Sequence, residues 1–232
     1  MYDVAIIGAG PAGIFTALEI VKLKPDWNVV LVEKGKKIEK RKCFLREGQK
    51  VCPGCKKCGL LCGWGGAGAF SDGKLTLTPD VGGHLVDYMS REEVEELIDY
   101  SDKLYLEFGA TEELHGTNKE EYAKIAREAT LAELKLVYSP IRHLGTERSL
   151  DVLKNMQDFL TDKITILYDD AVDKLIVENG QAKGFTTKAG QKITAEYIII
   201  APGREGADWL SSEFAENKIG MVSNAVDIGV RV

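Results

Sequence analysis

The chain has 232 residues, 44% of them hydrophobic, which suffices to bury a core in one or two domains. Its formal charge of −6, from 30 basic and 36 acidic residues, argues against a general polyanion binder, and three histidines leave little room for histidine-rich metal chemistry. The charge is uneven: ten Lys/Arg and two acids lie between Lys34 and Lys57, net +8, leaving −14 on the other 208 residues, so this stretch is either a solvated loop or an anion-facing one. No basic leader precedes the hydrophobic strand beginning at Tyr2, and no apolar run has the length of a bilayer span. A cytoplasmic protein without membrane or nucleic-acid partners is expected, its five cysteines between Cys43 and Cys62 kept as thiols.

In chain order, "DVAIIGAGPAGIFTALEIVKLKPDWNVVLVEKG" predicts a strand from Val4 to Ile7, a glycine turn, a helix from about Pro11 to Lys24, and a strand from Asn28 to Val32. Gly8, Gly10 and Gly13 form G-x-G-x-x-G in this strand-turn-helix setting, and Glu33 follows the second strand. Gly8 is expected to allow the tight turn, Gly10 the approach of a pyrophosphate to the backbone, and Gly13 close helix-strand packing. Glu33 is expected to accept hydrogen bonds from an adenosine ribose, and its charge disfavours a 2′-phosphate, pointing to FAD or NAD rather than NADP.

The segment "CPGCKKCGLLCGWGGAGAF" places Cys52, Cys55, Cys58 and Cys62 directly before a glycine run. Their C-x2-C-x2-C-x3-C spacing is that of bacterial ferredoxin clusters, which predicts a [4Fe-4S] site with Cys62 or Cys43 as fourth ligand, although Gly63 stands where proline is usual. A structural zinc satisfies the same thiolates, and reactive or unligated thiols remain open alternatives. Trp64 either stacks near a cofactor or fills the core.

Beyond it, Ser90 and Glu93 form a capping box, with Val94, Leu97, Ile98, Leu104, Tyr105 and Phe108 on one helical face and Gly109 as the stop. Thr117 with Glu120 is expected to open a second helix to about Leu134, and Thr146 to cap a third to about Thr161. From Ile164 short alternating strands follow, with turns at Asn179-Gly180 and Ala189-Gly190, making a small antiparallel meander. The apolar run Tyr197 to Ile200 is expected to be buried, before the turn Ala201-Pro202-Gly203. The closing "AVDIGVRV" alternates like a strand, so the chain is read as the N-terminal part of a longer polypeptide. Asp72, Lys74, Arg142 and His143 are the weak candidates for catalysis.

The order of fingerprint, Glu33, glycine run, meander and "IIIAPGREGADWL" resembles the two-dinucleotide-fold flavoproteins of the glutathione reductase superfamily. More narrowly, "GGAGAFSDGKL", "IRHLGTERS" and "VDIGVRV" resemble the uncharacterised FAD-dependent, or NAD(FAD)-utilising, dehydrogenases across essentially the whole chain. The resemblance implies an α/β fold: a Rossmann-like FAD-binding domain, with a parallel sheet and a small antiparallel meander, carrying an inserted, incomplete substrate domain of helices and strands. The expected boundaries are 1–75 and 141–212 for the FAD-binding domain, with the Cys-rich segment 43–62, then 76–140 for the insert and 213–232 for the first substrate-domain strands. It implies FAD met by Gly8, Gly10, Ala12 and Gly13 at the pyrophosphate, by Glu33 at the ribose, by the backbone of Val172 at the adenine, and by Gly203 on the flavin side. Gly65, Gly66, Ala67, Gly68 and Ser71 would then lie beside the isoalloxazine ring, where small residues allow backbone amides to reach a planar system.

The expected activity is FAD-dependent oxidation or reduction of a small-molecule substrate or of NAD(P)H, with an electron-transfer protein as a further partner and an iron-sulfur relay if the cysteines hold a cluster. Two alternatives are an NAD-dependent dehydrogenase with structural zinc, and an FAD-binding RNA-modification or nonredox protein.

Overall fold

In a computed structural model, residues 1–223 are described. In order they form β1 (Tyr2–Ile7), α1 (Pro11–Leu23), β2 (Val29–Val32), β3 (Lys74–Thr76), α2 (Arg91–Glu107), α3 (Lys119–Leu131), β4 (Ile141–His143), α4 (Gly145–Thr161), β5 (Thr165–Leu167), β6 (Val172–Glu178), β7 (Gln181–Thr187), β8 (Lys192–Ile200) and α5 (Ala207–Glu216). The chain divides into two compact units: Met1–Gly35 together with the chain from Ile164 onward, and Lys36–Lys163.

The first unit is built on a six-stranded sheet of order β5-β2-β1-β8-β7-β6. β5, β2, β1 and β8 run parallel, and β8, β7 and β6 are antiparallel, so the meander continues the parallel sheet through their shared strand β8. Val4–Ile7 of β1 and all of β2 are apolar and buried, as strands with both faces covered require. On one face Ala5, Ile7, Val30 and Val32 pack with Phe185, Ile193 and Ala195, with Trp209 against them. Ile14, Ala17 and Leu18 are the buried stripe of α1, which packs chiefly on β1 and β2. The β6–β7 turn is made by Asn179 and Gly180, both at positive φ (52° and 76°), as a two-residue hairpin of matching twist demands. Tyr197 differs from expectation: it is 50% exposed and stacks on Trp27 with ring centroids 5.9 Å apart, while Ile198, Ile199 and Ile200 are half-buried. An all-apolar run signals two covered faces, but here an aromatic pair shields one position instead.

The second unit has its own core, in which α4 buries Val152, Leu153, Met156 and Leu160 on one stripe. Trp64 is fully buried and its Nε1–H donates to the Leu153 carbonyl at 2.7 Å, so this indole fills the core. The unit boundaries fall at Gly35/Lys36 and Lys163/Ile164, whereas boundaries at 75/76 and 140/141 were expected; the latter pair lies inside the second unit. The physical reason is burial between segments far apart in sequence. The Gln157 Oε1 of α4 accepts the Ile38 N–H at 3.0 Å, and Leu153 holds Trp64, which ties α4 to residues 36–70.

Local signals succeed unevenly. The Ser90/Glu93 capping box is present at α2, but of its expected stripe Val94 and Leu104 are buried while Leu97 is 46% exposed. α3 is capped by Asn118 rather than Thr117: Asn118 Oδ1 accepts the N–H groups of Glu120 and Glu121, both at 3.1 Å, and the helix ends at Leu131. α4 has no side-chain cap, and the Thr146 hydroxyl instead donates to the Ser71 carbonyl at 3.4 Å. The strand expected in "AVDIGVRV" lies outside the described residues.

Candidate dinucleotide site

In the first unit the parallel register aligns Ile7 with Val32 and with Ile200, so β1, β2 and β8 end together. The three fingerprint glycines sit at this edge for different reasons. Gly8 has φ +100°, and a Cβ there would drive into the Ala201 carbonyl oxygen; a Cβ at Gly13 would drive into the Gly8 carbonyl oxygen. Both are demanded by packing. Gly10 has φ −77°, and a Cβ there would meet nothing within 4 Å. The fold itself does not need Gly10 bare. The space a side chain would take lies at the N-terminus of α1, which no side chain caps and which Ala12, exposed in its first turn, flanks. This is the geometry in which backbone N–H groups and the helix dipole receive an anion such as a pyrophosphate.

Glu33 is only 6% exposed. Its Oε2 accepts the Ala9 N–H at 2.8 Å and its Oε1 accepts the Gly35 N–H at 2.7 Å, so the carboxylate ties the glycine turn to the end of β2. A carboxylate is an acceptor-only group, the chemistry that a ribose hydroxyl requires. The Asp169 and Asp170 N–H groups donate to the carbonyls of Gly35 and Glu33 at 2.8 and 3.2 Å, bringing the segment that leads into Val172 to the same corner. Gly203, at φ +61° with open space at its Cβ position, follows Ala201, whose N–H donates to the Ile7 carbonyl at 2.8 Å. Gly8, Gly10, Ala12, Gly13, Glu33, Val172 and Gly203 all belong to this unit. The open cradle at Gly10 and the buried acceptor at Glu33 fit the diphosphate and ribose of a dinucleotide.

The remaining candidates belong to the second unit. Gly65, at φ +84°, is pressed by Leu153, whose Cδ1 would lie 2.6 Å from an added Cβ, whereas Gly68 faces open space. Ser71 donates its hydroxyl to the Gly68 carbonyl at 2.8 Å, closing the short 3-10 turn Gly66–Phe70 that contains Ala67. Cys52 and Cys55 are exposed, Cys43 and Cys58 half-buried and Cys62 buried, and none is in a disulfide. No three Cys, His, Asp or Glu among the described residues stand together as a metal site, so in this conformation the thiols do not fit a cluster or a zinc ion.

Arg142 is 3% exposed and engaged: Nε and Nη2 donate to Asp102 Oδ1 and Oδ2, each at 2.6 Å, and Nη1 to the Thr111 carbonyl. These bonds hold the guanidinium above its ordinary pKa range and give Arg142 a structural role in this unit. β3 and β4 pair antiparallel with Lys74 opposite His143, and Lys74 Nζ lies 3.6 Å from Asp72 Oδ2. Thus Asp72, Lys74 and His143 meet at one end of the ribbon.

Sequence reading missed Arg41. This arginine is 7% exposed, and its guanidinium donates to the carbonyls of Gly59, Leu60, Trp64 and Gly66 at 2.6 to 3.2 Å. Within a run of lysines the one cue was the residue type, since a planar fork reaches several acceptors that a single ammonium does not.

A parallel sheet ending in a glycine turn beneath a helix N-terminus, with a carboxylate closing the second strand, defines a Rossmann-like dinucleotide-binding protein. The chain belongs to the pyridine nucleotide-disulphide oxidoreductase family, which is FAD-dependent; the family match covers residues 2–226. A curated relative from Clostridium beijerinckii, described as an uncharacterized protein, is 26% identical over 232 residues, 98% of this chain and 35% of that protein.

Among solved structures, glycine oxidase from Bacillus cereus is 17% identical with a TM-score of 0.50, and the alignment covers 91% of this chain and 58% of that one. An L-amino acid deaminase from Proteus vulgaris, lacking its specific insertion sequence, is 13% identical with a TM-score of 0.51 over 91% of this chain and 56% of its own. These likenesses are of fold. The chain spans about a third of the curated relative and somewhat over half of these two structures. No helix among the described residues is long and apolar enough to cross a membrane.

Proposed function

We propose that the protein is an FAD-dependent oxidoreductase of the cytoplasm that exchanges a hydride or electrons with a small-molecule substrate or a nicotinamide. The observation carrying this reading is the open cradle at Gly10 beside the N-terminus of α1, with Glu33 buried at the end of β2. Bound there, FAD supplies the capacity to take up two electrons together and release them singly or as a pair. Gly10, Ala12 and the first amides of α1 bind and orient the diphosphate, Gly8 and Gly13 keep turn and helix close enough to make that surface, and Glu33 accepts from the ribose. The backbone at Val172 takes the adenine, and Gly203 leaves room toward the flavin end. From the resemblance alone, Gly65, Gly66, Ala67, Gly68 and Ser71 keep the role of small residues against a planar ring. Asp72, Lys74 and His143 are the groups available for proton transfer on this part of the chain.

The cysteines form a separate part of the reading. Drawn together by iron or zinc, Cys52, Cys55 and Cys58 with Cys62 or Cys43 would supply four thiolates, and no step is routed through such a centre. Iron, acid-labile sulfide and zinc analysis of the full-length protein purified without oxygen tests it; absence of all three removes the metal from the proposal.

Absorbance at about 450 nm from flavin tests the main reading. Full-length wild type is expected to carry stoichiometric FAD. Gly10→Ala should lower FAD affinity by at least about tenfold while leaving the thermal midpoint of the FAD-free protein unchanged, because the new methyl fills only ligand space. FAD retained in Gly10→Ala at wild-type affinity would sink the assignment.

A further inference from the structure

The cationic stretch after β2 has no role in the dinucleotide site. From Lys36 to Lys57 the chain is largely irregular, and Lys36, Lys40, Lys42, Arg46, Lys50 and Lys56 are all exposed. Lys36, Lys40, Lys42, Lys50 and Lys56 stand in no ion pair among the described residues, while the Arg46 guanidinium lies 4.9 Å over the Phe70 ring. Interleaved with them are exposed apolar side chains: Phe44 at 43%, Leu45 at 42%, Val51 at 76% and Leu61 at 36%. Cysteines 52 and 55 lie on the same stretch, also exposed. The face is nonetheless anchored. Arg41 gathers the Gly59, Leu60, Trp64 and Gly66 carbonyls beneath it, and Arg46 Nη1 donates to the Phe70 carbonyl at 2.9 Å.

A solvated loop in an acidic chain has no reason to concentrate unpaired lysines around exposed aliphatic and aromatic groups. We propose that this face docks an acidic one-electron carrier protein, an inference that rests on the oxidoreductase reading above. Exposed apolar groups that can be desolvated, together with like charges that speed and orient encounter, are what a small transient interface requires. Carrier complexes bury less than about 1,200 Å², an area within reach of one such segment. A nucleic acid fits less well, because the rest of the chain bears −14 against the +8 of this stretch, and an extended polyanion would have to run across both. In the redox step each substrate oxidised yields two electrons and two protons; two carriers dock in succession and take one electron each, and the protons pass to water.

The test uses the full-length protein with its FAD, and a bacterial flavodoxin as the acidic probe, both intact and stripped of FMN. Binding is measured by calorimetry at about 50 and about 300 mM salt, with expected weakening of at least tenfold at the higher salt. With the FAD prereduced by one equivalent of dithionite, the triple variant Lys42→Glu, Lys50→Glu, Lys56→Glu should bind flavodoxin at least about tenfold more weakly and pass electrons to it more slowly by a like factor. Its FAD content and the rate at which its prereduced form reduces menadione, a small neutral acceptor, should match wild type.

Equal flavodoxin affinity of variant and wild type, or no binding by wild type, overturns the proposal. So does tighter lysine-dependent binding of a single-stranded RNA oligomer, or salt-sensitive self-association that the variant abolishes and flavodoxin does not compete with. Absence of FAD and of menadione reduction would instead sink the oxidoreductase reading, and binding of FMN-free flavodoxin is then read on its own as a docking result.

Discussion

Arg41 shows how much one side chain decides when it is buried among carbonyls. Its N–H donors are spread over the carbonyls of a glycine-rich loop around the buried Trp64, so the cation satisfies backbone groups along that loop. Arg41→Met should destabilise the protein by on the order of 3 kcal/mol in chemical denaturation, because the methionine leaves several carbonyls unsatisfied. Arg41→Lys should recover only part of this, the ammonium lacking the fork. Arg91 works on the surface. Its Nη1 and Nη2 donate to Asp80 Oδ1 and Oδ2 at 2.8 and 2.7 Å, and these bonds hold the Asp80 carboxyl at about 2 against an ordinary 3.8. A depressed folded-state pKa means that the pair's contribution is fully present above about pH 3.8 and is lost as pH falls through about 2. Carboxyl titration by NMR should report Asp80 near the lower value in wild type and near the ordinary one in Arg91→Gln.

Helix ends test the next scale. Ser90→Ala should cost about 1 kcal/mol, since it removes the acceptor for the Glu93 N–H at the start of α2. At α3 the choice between neighbours is sharp: Asn118→Ala should cost about 1 kcal/mol, while Thr117→Ala should stay within about 0.5 kcal/mol. Equilibrium unfolding of the three variants decides the matter, and equal losses at Thr117 and Asn118 would refute the observed cap. Thr117 with Glu120 matches the spacing of a capping box as well as Ser90 with Glu93 does, so only the backbone that Asn118 adopts, at φ −72° and ψ 100°, separates the two. The meander was legible for the opposite reason. Asn179-Gly180 requires two consecutive positive φ values, and few residue pairs accept them.

At the scale of the molecule, residues Lys36–Lys163 form a compact unit with Trp64, Met156 and Leu160 fully buried inside it. A fragment of residues 36–163 should therefore fold alone, giving helical circular dichroism and a single cooperative thermal transition. A fragment without a cooperative transition would show that the unit depends on the rest of the chain. α4 belongs to this unit although it immediately precedes β5, because its Leu153 and Gln157 are hydrogen-bonded to Trp64 and Ile38.

The dinucleotide fingerprint with Glu33, the antiparallel meander and the capping box of α2 were determined by the sequence alone. Each depends on local backbone conformations or on short spacings along the chain, which particular side chains permit or forbid. Tertiary structure alone decided which glycines serve the fold and which leave space, since Ala201, nearly two hundred residues away, fills the place of a Cβ at Gly8 and nothing fills it at Gly10. It likewise decided that Trp64 is core, that Arg142 is held by Asp102, and that Arg41 binds its own loop, because the partners of a buried polar group lie wherever the chain returns to it.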